Sequence, residues 1–223
     1  MTEVADYPDS GFVVVDNGAW RLMISRRLGG AVAIQRPGAP PCYDLGYEAV
    51  LAGGKRVATS HWSAAPVAPI DGSAVGITGI AFERAADSLP LVKWMVPFQA
   101  LVSLLSSGWV AESFQRSVKL RMIRPAKTIG LSLHRSVRWD EDGVTIEDEA
   151  SADPACPRLE RLSPAVHVPF YSPSGRQDPE GMFPADDWDS TGAARRINDR
   201  VPVRRVRRFV VASDGVALDG RAA

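Results

Sequence analysis

The 223-residue chain is poor in cysteine and has no excess of either charge. Cys42 and Cys156 stand alone and far apart, with no CxxC pair and no Cys/His cluster. That excludes a structural zinc site of the usual ligand spacing. Two free thiols are expected in preference to a Cys42–Cys156 bridge. The 26 basic and 26 acidic side chains cancel. A dedicated nucleic-acid binder rests its affinity on a basic surface, so no nucleic-acid partner is expected. Met1–Gly11 is acidic and polar and lacks a basic start followed by an apolar core. It does not read as a signal peptide, so the expected location is cytoplasmic or peripheral to a membrane, unless the chain is a piece of a longer one.

Other absences narrow the chemistry. There is no βα alternation, no GxGxxG loop, no GxxxxGK segment and no GxSxG elbow. Dinucleotide binding, P-loop phosphate chemistry and the hydrolase nucleophile elbow therefore have no sequence support. No cofactor and no metal-ligand set can be named. With 45% hydrophobic and 23% charged residues, the chain is globular rather than disordered, collagen-like or coiled-coil.

What is there reads mostly as strands. Gly11–Asp16 is β-branched and ends at Asn17-Gly18; Ala19–Ser25 then sets Trp20, Leu22 and Ile24 against Arg21, Met23 and Ser25. A period of two on both sides of Asn-Gly predicts a hairpin, because both turn positions favour positive φ. Further strands are expected at 31–35, at 47–51 and 55–60 around Gly53-Gly54, at 75–83, at 129–133 and 136–139, and at 144–147 after Asp142-Gly143. Residues 162–171 hold two prolines and read as an edge strand or loop, 171–194 as loop, and 201–211 as a last basic strand. Many short strands joined by Gly turns predict an all-β antiparallel supersandwich over 1–215, with 216–223 a frayed tail.

One stretch breaks the texture. Residues 94–111 carry no charge. Phe98, Leu101, Val102, Leu105 and Trp109 recur at helical spacing, which predicts one inserted apolar or amphipathic helix at about 91–123. It can be a core helix against the sheets, an interfacial helix on a membrane surface with Trp94 and Trp109 at headgroup level, or a transmembrane span. As a membrane segment it would use Trp94, Phe98, Leu101, Leu105 and Trp109, with a cationic flank from Lys93 to Lys127.

The candidate chemistry is dispersed. His61, His134 and His167 are widely spaced, and a sandwich could bring two of them together as acid and base or around a metal. A lone histidine is more often structural. Tyr43, Tyr47, Trp62, Trp139, Tyr171 and Trp188 are possible stacking platforms for sugar rings, with core packing favoured for Trp20 and Trp139. The run Arg195, Arg196, Arg200, Arg204, Arg205, Arg207 and Arg208 suits an anionic polysaccharide, phosphate or lipid head. It equally suits pairing with the acidic hairpin Asp140–Glu149 across adjacent strands.

Several pieces together resemble the C-terminal β-domain of heparinase II/III-like proteins, relatives of the polysaccharide lyases. They are Tyr7-Pro8-Asp9-Ser10-Gly11 with the strands through Arg21-Leu22; Gly29-Gly30 with strand 31–35; and Tyr43-Asp44-Leu45-Gly46-Tyr47 with Gly53-Gly54 and Thr59-Ser60. The hairpin strands Val137–Asp140 and Val144–Asp148 complete the set. The resemblance covers most of 7–210 and implies an antiparallel supersandwich that follows an α/α toroid. The chain lacks the toroid, and Cys42-Tyr43-Asp44 stands where many lyase members carry His-x-Asp.

The resemblance thus implies a saccharide-associated β-domain that is non-catalytic alone. It would bind an anionic polysaccharide through Arg204, Arg205, Arg207 and Arg208 with Trp188 or Tyr171 stacking, or pack on a toroid-type domain or subunit. If catalysis survives, His61 and His167, with Asp44, are the candidate positions. A membrane-peripheral scaffold anchored by 94–111 and a stand-alone polysaccharide lyase are the alternatives.

Overall fold

The computed structural model describes residues 2–9, 11–27, 29–39, 41–59, 70–84, 128–165, 187–212 and 215–219. Residues 1–83 and 128–223 form one unit; 84–127 are a second. All that follows concerns the first. The inserted helix expected at about 91–123 lies outside the described residues, as do His61, Trp62, His167 and Tyr171.

The chain builds an antiparallel all-β structure. Strands β1 (Glu3–Tyr7), β2 (Phe12–Asp16), β3 (Arg21–Ser25), β4 (Ala31–Gln35) and β5 (Cys42–Asp44) follow one another as a five-stranded sheet. The remaining strands are β6 (Tyr47–Leu51), β7 (Arg56–Ala58), β8 (Ala74–Arg84), β9 (Thr128–Trp139), β10 (Gly143–Ala152), β11 (Leu159–Pro164), β12 (Val203–Ala212) and β13 (Gly215–Leu218). They form an eight-stranded sheet in the order β11-β6-β7-β8-β9-β10-β12-β13.

The period-two pattern decides which side chains meet. Val13, Val15, Leu22, Ile24, Val32 and Ile34 from the first sheet share one core with Val75, Phe82, Leu131, Leu133, Val137, Ile146 and Phe209 from the second. Trp20 and Trp139 are buried in it, as their phase predicts. In β8 the inward residues Val75, Ile77, Ile80 and Phe82 break the alternation by one position. The register against β9 shifts between Ile77 and Ile80, and Gly79 takes φ +66° there. This bulge returns Ile80 and Phe82 to the core face.

The three expected hairpins form, and those at Asn17-Gly18 and Asp142-Gly143 do so by turns other than the two-residue type. Asp16 pairs with Arg21, so β2 and β3 are joined by four residues, and of the Asn17-Gly18 pair only Gly18 has positive φ. Asn17 Oδ1 instead accepts from the Ala19 and Trp20 amides. The β9–β10 turn repeats the device: Asp140 Oδ1 accepts from the Asp142 and Gly143 amides.

Three expectations are corrected. The segments 129–133 and 136–139 are one continuous strand, because His134 and Arg135 keep the alternation. The stretch read as loop up to residue 194 ends in helix α1 (Ser190–Asn198). Its N-cap Asp189 accepts from the Thr191 and Gly192 amides, and Ala193, Ala194 and Ile197 are buried, a short stripe that the surrounding Asp, Ser and Gly obscure. Residues 216–218, expected to fray, belong to β13, since Val216–Leu218 continue the hairpin register against Phe209–Val211.

Candidate functional site

The inward phase of the large sheet contains charges. Arg135 is in step with Leu131, Leu133, Val137 and Trp139; Asp148 with Val144, Ile146 and Ala150; Arg205 and Arg207 with Val203 and Phe209. A one-residue slip would free these groups but expose every apolar neighbour, so the register buries them. Arg135 has no exposure, Asp148 1%, Asp44 and Arg207 5%. Charges this deep must pair.

They do so as a closed set. Arg135 forks onto Asp148 through Nε to Oδ1 at 2.6 Å and Nη2 to Oδ2 at 2.9 Å. Its Nη1 donates to Asp44 Oδ1 at 2.8 Å and to the Gly30 carbonyl at 3.0 Å. Arg207 donates from Nη1 to Asp44 Oδ2 and from Nη2 to Asp148 Oδ2, the latter at 2.7 Å. Two guanidinium groups thus face two carboxylates, and the cluster is neutral. The Tyr47 hydroxyl donates to Asp148 Oδ2 at 3.0 Å and accepts from Arg205 at 3.3 Å. Burial by itself would raise the Asp44 carboxyl, but Arg135 and Arg207 outweigh it and hold the group well below the ordinary carboxylate range. Burial, and after it the Asp148 charge, push the Tyr47 phenol upward, so it stays a donor.

The corner that delivers Asp44 is built by its neighbours. The chain leaves the small sheet at Asp44 and enters the large one at Tyr47. Asp44 Oδ1 accepts from the Gly46 amide at 2.9 Å, and Gly46 adopts φ +85°. A Cβ on Gly46 would lie 2.2 Å from Thr59 Oγ1. That hydroxyl accepts from the Tyr47 amide at 2.9 Å. Gly30, Asp44, Gly46 and Thr59 therefore meet at one place.

Next to the cluster, Arg205 lies over the Trp188 ring at 4.8 Å and the Tyr47 ring at 5.7 Å, within cation–π range. Trp188 Nε1 donates to the Leu162 carbonyl at 2.6 Å, and the residue is half-buried. Arg205 and Arg207 are thus occupied inside the protein.

The outward face of the same strands is polar. Across β12, β10 and β9 run Arg208, Thr145 and Arg138 in one row, and Arg204, Glu149 and His134 in another. Ser136 and the Ser132–Ser151 pair add hydroxyls. Arg204 pairs with Glu147 and keeps a side-chain exposure of 63%. Arg208 donates to Asp140 at 2.8 and 3.1 Å. Of the arginine run, Arg204, Arg207 and Arg208 pair with the acidic hairpin across adjacent strands, whereas among the described residues Arg195, Arg196 and Arg200 do not.

A hollow of about 590 Å³ lies elsewhere, between α1 and the start of β11. Among the described residues no group of three or more His, Cys, Asp or Glu could hold a metal ion, and His134 is exposed. Cys156 is buried and Cys42 half-buried, both as free thiols. No described helix is long and apolar enough to cross a membrane; Trp94, Phe98, Leu101, Leu105 and Trp109 are outside the described residues.

No family model, no curated protein and no solved structure matches the chain. The buried cluster escapes a reading by residue type, yet the sequence carries its signal. Three arginines (Arg135, Arg205, Arg207) and Asp148 occupy inward positions of alternating strands. Asp44 gives no such signal, because it ends a three-residue strand.

Proposed function

We propose that the chain is a saccharide-associated β-domain, not catalytic alone, that binds an anionic polysaccharide on the outward face of the eight-stranded sheet. The observation that carries this reading is the row-wise setting of Arg138, Arg204 and Arg208 among Thr145, Ser136, Ser132 and His134, with the carboxylates of Glu147 and Glu149 on the same face. Guanidinium groups spaced along strands suit carboxylates or sulfates spaced along a glycan, and hydroxyls suit its alcohols. The ion pairs to Glu147 and Asp140 are no barrier. Exposed pairs are worth about 0–1 kcal/mol, so a polyanion can compete for them. Arg205 and Arg207 serve by holding β12 in the register that turns Arg204 and Arg208 outward.

A toroid-type α/α domain or subunit is the proposed partner. The outward face of the small sheet supports it, with the cross-strand row Ala5, Val14, Met23, Ala33 and Tyr43, of which Met23 and Tyr43 are each 40% exposed. Membrane attachment rests on residues outside the described ones, as do His61 and His167; Asp44, the third lyase candidate, is buried and paired with Arg135 and Arg207, and no observation favours either reading.

The test is titration with polygalacturonate, with heparin and with a neutral glucan at an ionic strength of about 0.01 M, where screening extends over about 30 Å. Binding of the acidic polymers that weakens with salt, and that R138A/R204A/R208A removes, is the expected result. No binding of either acidic polymer by the folded protein would overturn the reading.

A further inference from the structure

The hollow between α1 and β11 has a composition that the sheet face does not account for. One wall is a helical stripe, Thr191, Ala194, Arg195 and Asn198; the other is the strand start Arg158, Leu159 and Glu160. Asp199, Arg200 and Cys156 close the end. At about 590 Å³ it falls within the ~300–1,000 Å³ of small-molecule sites.

The walls are fixed to each other. Asn198 Oδ1 accepts from the Leu159 amide at 2.8 Å and its Nδ2 donates to the Leu159 carbonyl at 2.9 Å. Both hydrogen-bonding groups of that backbone residue are thus held by one side chain. Arg200, in the left-handed region at φ +62°, donates to the Pro154 carbonyl at 3.1 Å and the Cys156 carbonyl at 3.4 Å. Those bonds anchor a cation at the end of the hollow without neutralising it.

The charges do not balance. The lining residues carry three guanidinium groups (Arg158, Arg195, Arg200) against two carboxylates (Glu160, Asp199), and the Asp153 charge reaches Cys156 at the closed end. None of the three arginines makes an ion pair among the described residues. Glu160 is partly engaged, since its Oε1 accepts from the Gly53 amide at 3.3 Å. The helix C-terminus adds a partial negative charge, but the amides of Asp199, Arg200 and Val201 close onto the carbonyls of Arg195, Ile197 and Arg196. Arg158 on the strand and Arg195 on the helix are both exposed, and Thr191 lies one turn before Arg195 on α1.

The geometry points to a second binding site here, for a small ligand carrying one oxyanion group, a carboxylate, sulfate or phosphate, held by Arg158 and Arg195. It is separate from the polysaccharide face and does not depend on it. Guanidinium groups recognise such oxyanions by paired N–H donors, and Thr191 and the Asn198 edge suit a neighbouring hydroxyl. The oxyanion can belong to a free inorganic ion or to a sugar acid.

Calorimetric titration of the whole chain with sulfate, inorganic phosphate, glucuronate and glucose tests it, using R158A/R195A, T191V and R138A/R204A/R208A. Saturable binding of at least one anion, no binding of glucose, and a loss of about tenfold or more in R158A/R195A are expected. The sheet-face variant R138A/R204A/R208A should bind as the parent does. Preference for glucuronate together with weakening in T191V identifies a sugar acid as the source; equal binding of sulfate or phosphate identifies the free ion. Arg158 and Arg195 are exposed, so the variants should keep the parent circular dichroism spectrum. No saturable binding of any anion, or binding that R158A/R195A leaves unchanged, overturns the site. Either result leaves the polysaccharide reading standing, because that reading is overturned only if the folded protein binds neither acidic polymer.

Discussion

Arg135 and Asp148 sit directly opposite each other on β9 and β10, and the arginine donates two hydrogen bonds to the carboxylate, at 2.6 and 2.9 Å, out of contact with solvent. Their cross-strand pairing is a register statement as much as an ion pair. A slip of β10 against β9 would part them: by one residue it turns Asp148 and its apolar neighbours to the outer face, and by two it leaves both charges unpaired in the core.

Removing one member should therefore be severe. Arg135→Leu leaves Asp148 and Asp44 with Arg207 as their remaining guanidinium. Breaking a buried pair from one side costs about 3–5 kcal/mol. Urea unfolding should show that loss. Arg135→Lys should not restore it, since an ammonium cannot supply the Nε/Nη2 fork together with Nη1 to Asp44 and Gly30. Near-parent stability of the Lys variant would show that the fork is not what matters.

Acid should weaken the fold through Asp44. Its carboxyl is depressed in the folded state, so the stabilisation is fully present above the unfolded value of about 3.9. It is lost progressively as pH falls below that toward the folded value, because the unfolded chain then binds a proton that the folded one refuses. Stability measured from pH 5 downward should fall, and Asp44→Asn should be less stable at pH 7 yet show a shallower fall. A parent and variant with the same pH slope would remove Asp44 from the acid response.

Two glycines with positive φ should respond differently to a methyl group. Gly46 (φ +85°) has Thr59 Oγ1 where a Cβ would go, whereas Gly53 (φ +92°) has nothing within 4 Å. Gly53→Ala should cost the left-handed strain alone, about 1–2 kcal/mol. Gly46→Ala should cost more, because the Tyr47–Thr59 hydrogen bond is displaced as well. Equal midpoints in thermal melts would mean that the corner relaxes freely.

The outward arginines should matter little to stability. Arg204 and Glu147 form an exposed pair, and a double-mutant cycle on R204A and E147A should give a coupling of about 0.2–1 kcal/mol. The same R204A change should still weaken the binding of an acidic polysaccharide at low salt. A coupling of several kcal/mol would make this pair structural instead.

What the sequence determined by itself was local. Alternation, β-branched runs and Asn-Gly or Asp-Gly punctuation specify strands and hairpins, because side-chain direction along a strand has a period of two. That was enough for the all-β antiparallel class and for the burial of Trp20 and Trp139, while the arginine run stayed open between an anionic ligand and the acidic hairpin. It was not enough for α1, whose nine residues bury only Ala193, Ala194 and Ile197. Nor did it reveal which of four nearby arginines are buried: Arg205 and Arg207 differ from Arg204 and Arg208 only in phase. The tertiary structure decided the charge cluster, since Asp44, Arg135, Asp148 and Arg207 come from four strands and two sheets. Their meeting depends on how those sheets face each other, and no single strand encodes that.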